Sequence, residues 1–206
     1  MLVLGLGAGT AKAAGLKVIP APIKQQGDPQ NLYIVDLGLE PLTGAWLGDN
    51  VTFKALPGVD YSTIWQTPTG PSSPTKSWAT DISNVTAGDI PNYSPPTPIP
   101  FGDITFTYAD FTVPEYNNLS SISDRPLGRF TVITADLFPF LPPGYSFEVD
   151  WVANLHVLEN GVWKAETFTG RVTFSIVPEP ASIVMLGVAA AGLPALLYAN
   201  RRRRAA

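Results

Sequence analysis

Tyr145-Ser146-Phe147-Glu148-Val149-Asp150-Trp151-Val152-Ala153-Asn154-Leu155-His156-Val157 is the stretch that decides the fold. Tyr145, Phe147, Val149, Trp151, Ala153, Leu155 and Val157 take every second position, and Ser146, Glu148, Asp150, Asn154 and His156 fall between them. Successive side chains of a strand point to opposite faces, so this pattern is one long strand with a dry face and a wet face. A single half-dry strand needs a sheet around it and a second layer to cover it.

Glu159-Asn160-Gly161 turns the chain immediately afterwards. A two-residue Asn-Gly turn would set Val157 opposite Lys164 and Leu155 opposite Glu166, placing charges on the apolar face. A three-residue Glu-Asn-Gly loop sets Val157 opposite Trp163, Leu155 opposite Ala165 and His156 opposite Lys164. The faces then agree, so the sequence predicts the three-residue loop. Val172, Phe174 and Ile176 supply a last strand after a break at Gly170.

Upstream, the same reading yields further short strands. Leu32–Leu37, Asn50–Leu56, Tyr61–Gln66, Trp78–Val85 and Arg129–Leu137 qualify, and Ile104, Phe106 and Tyr108 alternate with polar neighbours. Residues 67–74 and 117–127 read as loops, and the proline-dense segment 90–100 as an extended, irregular connection. No stretch of residues 15–176 has a convincing helical period. The chain has 21 prolines and 18 glycines, a share that favours turn-rich β-structure. About eight or nine strands are expected, arranged as an all-β, antiparallel β-sandwich of jelly-roll-like type.

Composition bounds the chemistry. No cysteine is present and His156 is the only histidine, so thiol chemistry and the common zinc sites are excluded. No serine lies in a G-x-S-x-G turn, and no phosphate-binding or dinucleotide motif occurs. Glu148 and Asp150 share the wet face, and neighbouring acids there read as solvated rather than as a hydrolytic pair. Asp36, Asp49, Asp60, Asp81, Asp89, Asp103 and Asp110 lie near strand ends, where a sandwich can gather acids into a Ca²⁺ site, but no D-x-D-x-D-G loop is present and no ligands are assigned. No cofactor is expected. Trp46, Trp65 and Trp78 border loops, and an aromatic face exposed there could stack on a sugar ring; Trp151 belongs to the buried alternation. Residues 1–200 carry nine basic and 17 acidic residues, which argues against nucleic acid and anionic membranes as partners.

The two ends carry targeting features. Leu2–Ala8 is a short apolar run, and Ala11-Lys12-Ala13 has the small-x-small form of a signal-peptidase site, so residues 1–13 read as a signal peptide without its basic front. The alternative for this stretch is an N-terminal strand. At the other end, residues 181–199 contain no charged side chain. As a helix they would span roughly 28 Å, close to a bilayer's hydrocarbon core, so a single C-terminal transmembrane helix is expected. Arg201, Arg202, Arg203 and Arg204 would hold their end on the cytoplasmic side, placing residues 14–176 beyond the membrane.

Val177-Pro178-Glu179-Pro180-Ala181-Ser182, the apolar span and the arginine cluster together resemble the PEP-CTERM sorting signal of bacterial exported proteins. The resemblance is confined to residues 177–204. It implies processing by an exosortase near the Pro-Glu-Pro, with Val177, Pro178, Glu179, Pro180 and Ser182 as the recognised motif. It also implies an inner-membrane-anchored precursor that later reaches the cell surface or extracellular matrix. Cargo of this type is associated with extracellular polysaccharide and biofilm, so the expected function is that of a non-catalytic surface protein. A carbohydrate-binding module of β-sandwich type is the other reading.

Overall fold

A computed structural model describes residues 15–26, 30–69, 78–89, 98–109, 115–120, 122–135 and 145–177. The expected signal peptide, the Pro-Glu-Pro motif, the apolar span and the arginine cluster lie outside the described residues. Among the described residues no helix is long and apolar enough to cross a membrane. They form an all-β domain, as the alternation predicts.

The deciding stretch is β11 (Ser146–Glu159), and it pairs antiparallel with β12 (Val162–Val177) from Ser146 opposite Ser175 to Glu159 opposite Val162. Phe147, Val149, Trp151, Ala153, Leu155 and Val157 are all buried, and the residues between them face outward.

The turn corrects the sequence expectation. Asn160 and Gly161 alone connect the strands, with φ of 51° and 79°. Two consecutive left-handed residues are the signature of a type I′ hairpin. Val157 therefore faces Lys164, and Leu155 faces Glu166. The charges are tolerated because this end of β12 is a sheet margin. β11 has β4 (Thr43–Trp46) on its other side here, whereas among the described residues β12 pairs only with β11 along this stretch. Lys164 can therefore reach water beside a buried Val157.

The expected break at Gly170 is also absent, since β12 runs through it. Gly170 lies opposite Trp151, and a Cβ there would stand 2.4 Å from Cζ2 and 2.6 Å from Cε2 of the indole. The glycine makes room for a ring rather than ending a strand.

Two sheets meet at β12. In the first, β1 (Leu16–Pro20) and β2 (Ile23–Gln26) lie in line along one edge of β3 (Gln30–Leu39). Ala21-Pro22 interrupts them, and the Ala21 amide donates to the Ile34 carbonyl at 2.8 Å. β10 (Arg125–Ala135) takes the other edge of β3, and β6 (Ile64–Thr69) pairs with β10. In the second sheet the order is β11, β5 (Asn50–Pro57), β8 (Pro98–Tyr108), β7 (Trp78–Asp89), with β9 (Glu115–Asn117) beside β4. The last residues of β12 leave β11 and pair with β2, Ile176 opposite Ile23 and Val177 opposite Lys24. This pairing is parallel; the others are antiparallel.

The strands missing from the sequence reading (β1, β2, β4 and β9) are three to five residues long, too short for a period to register. β8 also begins inside the proline-dense segment, at Pro98. Its prolines are accommodated because β8 has only β7 beside it until Phe101, where β5 joins.

The core lies between the sheets. Tyr33 from β3 packs edge-on against Phe174 at 5.3 Å and donates its hydroxyl to the Pro57 carbonyl of β5 at 2.7 Å, joining the two layers. Full burial raises the Tyr33 pKa and keeps the hydroxyl a donor.

Asp103 on β8 holds two kinks in place. β5 and β7 each carry an irregularity beside it, with Ala55 at φ 46° and Asn84 at φ 54°. The buried carboxylate accepts from the Ala55 amide (2.7 Å), Asn84 Nδ2 (2.8 Å) and Lys54 Nζ (2.9 Å). Burial pushes its pKa up, but the three donors and the Lys54 charge outweigh that and lower it. A lowered carboxylate pKa adds stability above its unfolded-state value, and that stability is lost as pH falls through the folded value. We therefore expect Asp103→Asn to cost about 1–3 kcal/mol at neutral pH. The gap to wild type should close below pH ~4. Urea midpoints of both chains at pH 7 and pH 3 check this; an equal gap at both would refute the charged role.

Candidate functional site

The three tryptophans singled out for stacking have different fates. Trp78 is buried, packed edge-on against Tyr108 and Phe130 at 5.3 Å each. Its ring is core and is out of a ligand's reach. Trp65 has its backbone on β6, opposite Val132; the expectation for its side chain lies outside the described residues. Trp46, the last residue of β4, lies on the outer face, half-buried.

Trp46 stands in an aromatic cluster. Its ring stacks on the His156 imidazole, with centroids 4.2 Å apart and planes 11° from parallel. Trp163, half-buried near the start of β12, lies 6.1 Å from Trp46 at a 57° tilt. Strand geometry brings them together: His156 is opposite Gly44 on β4, two residues before Trp46, and Trp163 is opposite Leu158. Gly44 has no side chain to obstruct them. A Cβ there would sit 2.2 Å from Asn117 Oδ1 and 3.3 Å from Trp163 Cζ3.

Polar groups fix this cluster. Trp46 Nε1 donates to Asn117 Oδ1 at 3.1 Å. The Trp46 amide donates to Asp49 Oδ2 at 2.8 Å, and the same oxygen lies 2.9 Å from His156 Nδ1. With the carboxylate accepting, Nδ1 carries the imidazole proton. Burial raises the Asp49 pKa, and the hydrogen bonds from His156 and Trp46 only partly offset it.

Beyond the cluster, β8, β5, β11 and β12 carry two uncharged rows on the outer face, and exposed Asp81 on β7 ends the second. One row across it reads Thr107, Asn50, Asn154, Thr167, and the next reads Thr105, Thr52, Val152, Thr169. Thr167 Oγ1 donates to Asn154 Oδ1 (2.8 Å), Asn154 Nδ2 donates to Asn50 Oδ1 (3.1 Å), and the Thr52 and Thr105 hydroxyls are 2.9 Å apart. The charges gather at the opposite end, where Arg171 donates through Nε to Asp150 Oδ1 (2.7 Å) and through Nη1 to Glu148 Oε2 (3.0 Å). Both carboxylates are thus occupied by one guanidinium. Among the described residues no three histidine or acidic side chains converge as a metal site.

No signal in the sequence assembles this cluster. Asp49 and His156 are 107 residues apart, as are Trp46 and Asn117 by 71. The only local cue was Asn160-Gly161: its two-residue turn is what puts Trp163 on the outer face.

No family model matches the chain, and no curated protein matches it. Among solved structures, the chain is similar to AggA, the major subunit of aggregative adherence fimbriae type I from Escherichia coli. The identity is 10% and the TM-score 0.30, over 82% of this chain and 98% of that one.

Proposed function

We propose that the chain is an exported, non-catalytic surface protein. In this reading a PEP-CTERM signal at residues 177–204 is processed by an exosortase, and the β-domain associates with extracellular polysaccharide. The observation that carries it is the junction. β12 ends at Val177, and Pro178-Glu179-Pro180 follows at once. Two prolines restrict the backbone to extended conformations, which a membrane-embedded enzyme can bind without opening the domain. Residues 181–199 serve as the span that anchors the precursor, and Arg201–Arg204 as its cytoplasmic end. After cleavage a compact β-domain remains outside the cell. Replacing Glu179 by Ala should stop maturation, so that precursor accumulates in the membrane fraction. Normal processing of that variant would reduce the Pro-Glu-Pro to a linker.

A carbohydrate-binding module is the second reading, and the Trp46–His156–Trp163 cluster on the outer face favours it.

A further inference from the structure

We propose that the outer face of the second sheet is a binding site for a neutral polysaccharide, built from Trp46 and Trp163 at one end and the Thr/Asn rows beside them. This rests on the polysaccharide part of the proposed function and is independent of the sorting signal.

A pyranose ring offers two chemistries at once: a patch of C–H bonds on its faces and hydroxyls around its rim. The first is met by aromatic rings, the second by groups that both donate and accept. This face supplies both, side by side. Trp46 and Trp163 are not held by core packing alone. Trp46 is fixed at its indole N–H by Asn117 and, through His156, by Asp49. Such anchoring limits the ordering cost when a ligand binds. Next to the rings, Asn154, Thr167 and Thr169 are exposed and carry hydroxyl or amide groups only.

The charge pattern selects the ligand class. Across β8, β5, β11 and β12 the two Thr/Asn rows contain no ionisable side chain, and β7 adds only an acid, Asp81, to the second. Glu115 lies opposite Trp46 on this same face, and exposed Asp81 on β7 lies opposite Thr105 at the far end of the second row. A polyanion such as alginate would meet acids there, with no cationic row to receive it. A neutral hexose polymer meets no such cost.

The test uses the purified full chain in a zwitterionic, sugar-free detergent. Tryptophan fluorescence and calorimetry are followed against soluble neutral β-glucan, mannan and galactan, with alginate as the anionic comparison. Saturable binding of at least one neutral polymer is expected, with none to alginate. Trp163→Ala should weaken it at least tenfold. Thr167→Asp, which places a charge on an exposed position outside the core, should weaken it at least fivefold. Arg171→Ala, at the charged end, should leave it unchanged. Thermal melts verify each fold; if Trp163→Ala fails to fold, Thr167→Asp decides. Failure of all three neutral polymers to bind, binding of alginate alone, or wild-type affinity in Thr167→Asp would overturn the site. None of these outcomes touches the Glu179→Ala result, so the two readings fail separately.

Discussion

A chain ending at Val177 should keep the cooperative unfolding transition of the β-domain, with stability within about 1 kcal/mol of the longer chain. A chain ending at Gly170 should lose that transition altogether. The seven residues between these endpoints bury Val172, Phe174 and Ile176, with Phe174 packed against Tyr33 at 5.3 Å and Phe147 at 5.8 Å. Each such side chain contributes about 1.5–3 kcal/mol by leaving water, so about 5–9 kcal/mol disappears together. A domain of this size has a net stability of only about 5–15 kcal/mol. The segment also links the two sheets, because Ile176 and Val177 pair with β2 while the residues before them pair with β11. Circular dichroism melts of the two truncations compare them directly. A cooperative melt from the shorter chain would show that the sheets hold together without this strand. The result also bears on the sorting proposal: a cut just after Val177 removes no residue of the described sheet, whereas a cut a few residues earlier removes the joint.

Gly170→Ala should destabilise the domain by about 2–3 kcal/mol, a large effect for one methyl group. The new Cβ would lie 2.4 Å from Cζ2, 2.6 Å from Cε2 and 2.9 Å from Nε1 of Trp151. These are atoms of a rigid, buried indole, not the end of a flexible chain, so the ring or the strand has to move. The backbone itself places no demand on glycine here. In a Trp151→Leu background the same substitution should cost less than about 1 kcal/mol, because alanine fits a strand interior better than glycine once space exists. The difference is a coupling energy of at least about 1 kcal/mol, read from urea midpoints of the four chains in a double-mutant cycle. Equal costs in both backgrounds would mean that Gly170 matters for something other than the indole.

The sequence determined the layer character of this protein. Alternation in residues 145–157 specified a half-buried strand, and six of the seven residues it named, Phe147 to Val157, are the buried side of β11, while Tyr145 lies just before the strand and is half-buried. Local chemistry sufficed there because a strand's two faces follow directly from a period of two. The same logic failed across the turn. Matching apolar faces favoured a three-residue loop, while the left-handed preference of Asn160-Gly161 and the open margin of β12 produced a two-residue one. A one-residue slip exchanges faces, so Trp163 moved from the expected core side to the outer side. Only the tertiary structure could decide that, because only there does β4 flank β11 and leave β12 at the edge. Likewise, Gly170 read as a strand break until Trp151 was seen across from it. Trp46 on β4 and His156 on β11 meet Asn117 from β9, Trp163 from β12 and Asp49 from the turn before β5, brought together by sheet pairing that no local spacing encodes. The tail is the opposite case: its proline pair, uncharged run and arginines are features of the sequence alone, outside the described residues, and the sorting reading built on them is a proposal that rests on charge and hydrophobic length.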